Sequence, residues 1–130
     1  MSTQQCPCGT GKSYFNCCKI VHEHHEKAIT AEMLMRSRYV GFVYADGDYL
    51  LKSHHAKTRP VHEKKEIVKW AKSVNWIKLD VLKTSKGNLE DTDGYVEFKA
   101  FFFENNAVQV IHEKSYFIKE KGRWYYYGAV

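Results

Sequence analysis

The sequence predicts an α+β fold in which helices come first, an antiparallel sheet follows, and a small metal-binding head precedes both. Three observations support this prediction. All four cysteines lie between positions 6 and 18. Apolar residues recur at helical spacing between residues 30 and 74, and the segments that follow are strand-like and divided by turns. Helices followed by strands are typical of the α+β class.

Length and composition favour a globular protein over a disordered, fibrous or membrane-spanning one. The 130 residues are 44% hydrophobic and 15% aromatic, which is enough to bury a core. The longest nearly apolar run, residues 39–45, is far shorter than the ~18 residues that cross a bilayer. Residues 1–15 contain no apolar segment typical of a secretory signal. We therefore expect a cytoplasmic protein without a membrane span.

The cysteine pattern is the strongest indication of chemistry. Cys6 and Cys8 are separated from Cys17 and Cys18 by eight residues, two of them glycines, so a loop can bring the pairs together. Four thiolates in tetrahedral geometry select zinc. These four cysteines are therefore predicted to hold one zinc ion, with Lys12 and Lys19 offsetting the negative charge of the site.

Other interpretations of this segment remain open. The cysteines could form a redox dithiol or a local disulfide, although neither pair has Cys-x-x-Cys spacing. One ligand could be a histidine instead (His22, His24 or His25), but these and His62 are predicted at the surface. The run Gly-Thr-Gly-Lys-Ser resembles part of a phosphate-binding loop, but Cys6 stands where that motif needs its first glycine.

Three helices are predicted after the head. The first spans 31–46, begins at the N-cap Thr30, and is apolar on more than one side, which indicates a buried helix. The second is short, over 49–54. The third follows Pro60 near 61–74 and has one apolar face. Its opposite face carries Lys64, Lys65, Lys69 and Lys72.

The remainder of the chain predicts four antiparallel strands. Runs of β-branched and aromatic residues are separated by short segments rich in Gly, Asn and Asp. The strands are expected at residues 76–84, 95–103, 108–119 and 123–127. Because the connections are short, neighbouring strands should pair in sequence order as a meander.

The sequence also resembles known proteins. The run Cys6-Pro7-Cys8-Gly9-Thr10-Gly11-Lys12-Ser13-Tyr14 followed by Cys17-Cys18 resembles the SEC-C zinc motif at the C-terminus of the SecA translocase. Later stretches resemble the bacterial YchJ family: Met35-Arg36-Ser37-Arg38-Tyr39, Asp48-Tyr49-Leu50-Leu51, His55, Glu113-Lys114-Ser115-Tyr116-Phe117 and Gly122-Arg123-Trp124-Tyr125-Tyr126. The sequence departs from that family at His54, where its members tend to carry Trp.

This resemblance implies a particular architecture. Residues 1–22 would form a SEC-C zinc head, and residues 28–130 a domain like nuclear transport factor 2 (NTF2), in which a curved sheet wraps round helices as a cone. In such a domain the concave face of the sheet and the first helices enclose a pocket.

Several polar groups are candidates for lining that pocket: Arg36 or Arg38, Tyr39, His55, Glu113, Ser115 and Tyr126. Strand alternation places Glu113 on the same face as Ile111 and Phe117. A carboxylate on a partly buried face needs a basic partner, for which Arg36 is favoured over His55. Such a pair would be either a structural contact or an acid–base couple, and no residue is assigned as catalytic.

The sequence favours a non-enzymatic module in which the zinc head binds a protein partner and a pocketed domain carries the head. By resemblance to the translocase tail, the partner would be a protein, a ribosome or a secretion chaperone. The main alternative is a small-molecule-binding domain or an enzyme that uses the concave face. A weaker alternative is nucleic-acid binding through residues 51–90, which hold ten of the 20 basic residues and only four acidic ones.

Overall fold

The computed structural model describes residues 5–130, in which four helices precede a four-stranded sheet. The helices are α1 (Cys18–Glu23), α2 (Ala31–Val43), α3 (Gly47–Lys52) and α4 (Lys64–Ser73), and short 3-10 turns occupy Tyr14–Asn16 and His25–Lys27. The strands are β1 (Asn75–Lys86), β2 (Asp93–Glu104), β3 (Ala107–Glu120) and β4 (Arg123–Ala129). In the described part of the chain, no helix has both the length and the apolar character needed to cross a bilayer.

Side-chain caps fix where the first two domain helices begin. Thr30 Oγ1 accepts a hydrogen bond from the Met33 amide (3.1 Å), as predicted for α2, and Asp46 caps α3 in the same way. Helix α2 ends three residues earlier than predicted, because Ala45 adopts a positive φ and turns the chain into α3. Helix α4 begins at Lys64, later than predicted. The preceding residues 60–63 form a turn instead, in which the Glu63 amide donates to the Pro60 carbonyl.

The sheet is an antiparallel meander in the order β1-β2-β3-β4, which confirms the predicted α+β topology. Each strand is longer than predicted. Register shifts interrupt the β1–β2 ladder twice and the β3–β4 ladder once, and such bulges bend and twist a sheet. The result is a curved sheet whose concave face covers α2.

The core lies between α2 and this concave face. Leu34 and Val40 of α2 are fully buried against Phe117 of β3 and Trp124 of β4. Three of the four cysteines, Cys6, Cys8 and Cys18, are also buried and belong to the same hydrophobic cluster. The N-terminal head therefore packs directly onto the core of the α+β domain.

A close approach of two glycines closes the β1–β2 hairpin. A Cβ atom on Gly94 would lie 2.5 Å from the Cα and N atoms of Gly87, which has a φ of +78°. The Gly87 backbone cannot move away easily, since its carbonyl accepts a hydrogen bond from the Ala31 amide (3.0 Å).

We therefore expect Gly94→Ala to lower the free energy of unfolding by about 2–4 kcal/mol, measured by urea denaturation. The matched control is Gly128→Ala in β4, where an added Cβ would meet nothing within 4 Å. Similar losses in the two variants would contradict this account of the hairpin.

Candidate functional site

The cysteine loop is shaped by backbone hydrogen bonds and two glycines. The Cys6 amide donates to the Lys12 carbonyl (2.8 Å), and Gln5 pairs with Ser13. Gly9 and Gly11 take φ angles of +89° and +84°, which other residues adopt only under strain. The loop closes on itself, and a 3-10 turn then carries the chain to Cys17 and the start of α1.

This geometry brings all four thiols together. Every Sγ atom lies within 4.8 Å of the others, and the Sγ atoms of Cys8 and Cys17 are 3.5 Å apart. Four thiolates around a tetrahedral zinc ion, each ~2.3 Å from the metal, would lie about 3.8 Å from one another. The observed spacing fits that requirement, so the cluster can bind a metal ion. The disulfide alternative is not realised, since all four cysteines are free.

The cluster is electrostatically suited to a cation. Hydrogen bonds from the thiols of Cys18 and Cys6 hold the pKa of Cys8 below its ordinary value. Donation of its own proton to Cys6 and Cys8, together with burial, raises the pKa of Cys18. Packed thiols that share protons in this way lose them readily to a divalent metal, because coordination deprotonates a thiol.

The histidines of the connector have other partners. His22 Nε2 donates to the Ser37 carbonyl (2.8 Å), and its Nδ1 accepts from the Tyr14 hydroxyl (2.9 Å). His25 Nε2 donates to the Trp124 carbonyl (2.7 Å). The prediction of surface positions is correct for His24 and His62 but wrong for His25, which is only 3% exposed, and for the half-buried His22. Both fix the connector to the domain.

A second candidate site is a cavity of about 250 Å³ between α2 and the concave face of the sheet. One part of its wall is apolar and largely aromatic, formed by Phe42, Trp70, Trp76 and Phe98. The other part is polar, formed by Arg38, His54, Glu113, Ser115 and Tyr126. Of the predicted pocket residues, Tyr39, Glu113, Ser115 and Tyr126 line the cavity, whereas Arg36 and His55 do not.

Glu113 faces the cavity, as strand alternation predicts, but its predicted partners were wrong. Its Oε2 accepts hydrogen bonds from the hydroxyls of Ser115 (2.5 Å) and Tyr126 (2.8 Å). Arg36 instead donates to Glu32 (2.9 Å) and to the Cys8 carbonyl (2.5 Å), which joins α2 to the head. His55 is bound to Glu120 (3.2 Å).

The buried base at the cavity is Arg38. Residues two apart on a helix point about 200° away from each other, so Arg36 reaches the head while Arg38 reaches the cavity. Arg38 Nη1 donates to the Leu50 carbonyl and to Ser53 Oγ, both at 2.7 Å. Burial lowers the pKa of Arg38 to about 10, which leaves it charged at neutral pH.

Comparison with known proteins identifies the family. The family model described as YchJ, middle NTF2-like domain, matches residues 30–129. The chain belongs to the YchJ family. UPF0225 proteins from Vibrio vulnificus strain CMCP6 and Geobacter sulfurreducens are similar over most of the chain. The Vibrio protein is 40% identical, and the alignment covers 93% of this chain and 71% of the relative. The Geobacter protein is 38% identical, and the alignment covers 95% of this chain and 77% of the relative.

Two solved structures share the fold of this YchJ-family chain, and both are described as SEC-C motif containing proteins. The solution structure of a SEC-C motif containing protein from Rhodopseudomonas palustris has a TM-score of 0.87 at 32% identity, covering 98% of both chains. The crystal structure of a SEC-C motif containing protein from Psychrobacter arcticus has a TM-score of 0.82 at 32% identity, covering 97% of this chain and 81% of the other. The NTF2-like architecture and the SEC-C resemblance are thereby confirmed.

His54 lines the cavity, although no sequence pattern pointed to it, and we expect it to make the stability of this YchJ-family protein depend on pH. Its ring packs edge-on against Tyr126, with centroids 5.0 Å apart. Burial, followed by the charges of Arg38 and Arg59, lowers the pKa of His54 to about 4. The unfolded chain, with a histidine pKa near ~6.5, binds the proton first. The resulting stability is complete above that pH and is lost as the pH falls towards 4.

We expect His54→Phe to remove this dependence. Between pH 8 and pH 5 the wild type should lose about 2 kcal/mol more free energy of unfolding than the variant, as urea denaturation at both pH values would show. The wild type and the variant share the cysteine head. Any effect of pH on the head is therefore the same in both and cancels when their losses of free energy of unfolding are compared. Equal losses of free energy of unfolding in the wild type and the variant would contradict the assignment of this pH dependence to His54.

Proposed function

We propose that Cys6, Cys8, Cys17 and Cys18 hold one zinc ion and that the SEC-C head, residues 1–22, binds a protein partner while residues 28–130 carry it. The observation that supports the metal is the convergence of four thiols within 4.8 Å. Zinc bound there would be structural, because four protein ligands complete a tetrahedral shell and leave no open position. It would lock a short loop that has little core of its own.

The surface around the cysteines favours a protein partner. Ile20 (41% exposed) and Met33 (38% exposed) line one groove, and Phe15 in the preceding 3-10 turn is 68% exposed. A groove beside Cys17 and Cys18 is lined by residues that include Met33 and two exposed lysines, Lys12 and Lys27. Exposed apolar side chains next to one another mark interaction sites, and lysines at their rim select an acidic partner. The partner segment should therefore combine acidic and apolar residues.

A labelled peptide of alternating glutamate and leucine tests this proposal by fluorescence anisotropy with the full-length, metal-loaded protein. We expect saturable binding that weakens with salt and falls at least tenfold in the double variant Lys12→Glu, Lys27→Glu. A matched double variant on α4, Lys65→Glu with Lys72→Glu, has the same charge change and should bind as the wild type does.

Two results would overturn the proposal. One is equal binding by the head variant and the wild type, and the other is equal loss in the head and α4 variants, which would show attraction by net charge alone. Tighter binding of labelled single-stranded DNA than of the peptide, lost in the α4 variant, would favour the nucleic-acid alternative instead.

A further inference from the structure

The polar part of the cavity holds a buried arginine, Arg38, some of whose hydrogen-bond donors are unused in the described chain. Arg38 is only 8% exposed, and its Nη1 is occupied by Leu50 and Ser53. Within residues 5–130, its Nε and Nη2 make no hydrogen bond to the protein, although Arg38 lines the cavity. Its guanidinium instead faces the ring of Tyr126, 4.6 Å from the ring centroid. A fork of charged donors at a cavity is suited to a carboxylate.

A carboxylate of the protein lies at the hydroxyl end of Tyr126. Glu113 Oε2 is held by the hydroxyls of Ser115 and Tyr126, and within the described chain no hydrogen bond occupies Oε1. Arg38 and Glu113 do not neutralise each other directly, since no ion pair within 4.0 Å joins them there. The cavity thus presents one positive and one negative group, Arg38 over the ring of Tyr126 and Glu113 at its hydroxyl.

The rest of the cavity suits a flat apolar group. Trp70, Trp76 and Phe42 pack edge to face or tilted against one another, with ring centroids 5.4 to 6.4 Å apart. Phe98 and Ile111 complete this part from the sheet. A volume of about 250 Å³ lies just below the ~300–1,000 Å³ of sites for drug-sized ligands. The occupant is therefore a small molecule, and an aromatic ring would pack well against these side chains.

We propose that the cavity binds a small aromatic α-amino acid as its zwitterion. The carboxylate of the ligand pairs with the free donors of Arg38, and its ammonium group pairs with Glu113. Its ring enters the aromatic part of the cavity. A buried charge is tolerated only when it is paired, so a ligand with both charges satisfies the two protein groups together. A ligand with one charge leaves either Arg38 or Glu113 without a partner.

A series of three probes that share one ring tests this inference: L-phenylalanine, 3-phenylpropionate without the ammonium group, and phenethylamine without the carboxylate. None absorbs at the red edge of the tryptophan band, so the fluorescence of Trp70 and Trp76 in the full-length protein reports binding. We expect L-phenylalanine to bind at least tenfold more tightly than either analogue. Glu113→Gln should remove the advantage of L-phenylalanine over 3-phenylpropionate, because the ammonium group then has no charged partner.

A pair of variants on β3 checks that the binding occurs in the cavity. Ile111→Trp places a large ring inside the cavity and should abolish binding of all three probes. Val110→Trp makes the same change at the next residue, which is 47% exposed and lies on the opposite face of the sheet, and should bind as the wild type does. Equal affinity for L-phenylalanine and either analogue, undiminished binding by Ile111→Trp, or no saturable binding of any probe would overturn the proposal.

Discussion

Removal of the proposed zinc ion by a strong chelator is expected to lower the thermal unfolding midpoint by about 10–15 °C while the circular dichroism of the sheet persists at room temperature. A cross-link across a loop the length of residues 6–18 contributes about 3 kcal/mol, which corresponds to a shift of that size in a protein of this length. The sheet should persist, because most members of the core cluster, Leu34, Phe117 and Trp124 among them, lie outside the cysteine loop.

The control for this experiment is Cys8→Ser, which removes one ligand from the predicted zinc site. The variant should show the lowered midpoint without chelator and should not respond further when chelator is added. Loss of all sheet signal on chelation would contradict the separation into a head and a domain, and would show that Cys6, Cys8 and Cys18 are indispensable to the cluster they share with α2. An unchanged unfolding midpoint of the wild type on chelation would contradict the proposal that the cysteines hold a metal ion.

Replacement of Arg38 by methionine should lower the free energy of unfolding by about 2–4 kcal/mol, because two buried hydrogen bonds from a charged group are lost. The change leaves the Leu50 carbonyl without its charged donor and removes the positive neighbour of Glu113 at the cavity. Buried polar groups that lose a partner pay the full cost of desolvation. Urea denaturation at neutral pH measures the effect.

Arg36→Met is the matched control, since it removes the same group from the same helix two residues away. Arg36 bonds to Glu32, whose side chain is 42% exposed to water, and to the Cys8 carbonyl. Its loss should cost about 1–2 kcal/mol. An equal or greater loss for Arg36→Met would contradict the assignment of Arg38 as the buried anchor.

Much of the fold was predictable because local signals agreed with the tertiary structure. Thr30 caps α2, the turns between strands contain the expected residues with positive φ at Asn105 and Asn106, and the meander follows from short connections. The cysteine cluster was also predictable, since its four cysteines lie close in sequence and a short loop joins the two pairs.

The partners of the cavity residues could not be predicted in the same way. Helix α2 is buried on most of its surface, so its apolar pattern does not reveal which side faces the sheet. The pattern therefore does not distinguish Arg36, which bonds to the head, from Arg38, which lines the cavity. The aromatic wall depends on Trp70 and Trp76, which α4 and β1 bring next to α2 only in the folded protein. His25 gave no sequence signal of burial, because its partner, the Trp124 carbonyl, lies 99 residues away.

Native mass spectrometry of the purified protein, prepared without chelator, tests the central claim most directly. We predict the mass of one chain plus one zinc ion, with the increment absent from Cys8→Ser and with no freely titratable thiols in the metal-loaded protein. Recovery of the bare chain with four thiols that react freely with a thiol reagent would contradict the account of the head as a zinc-closed module.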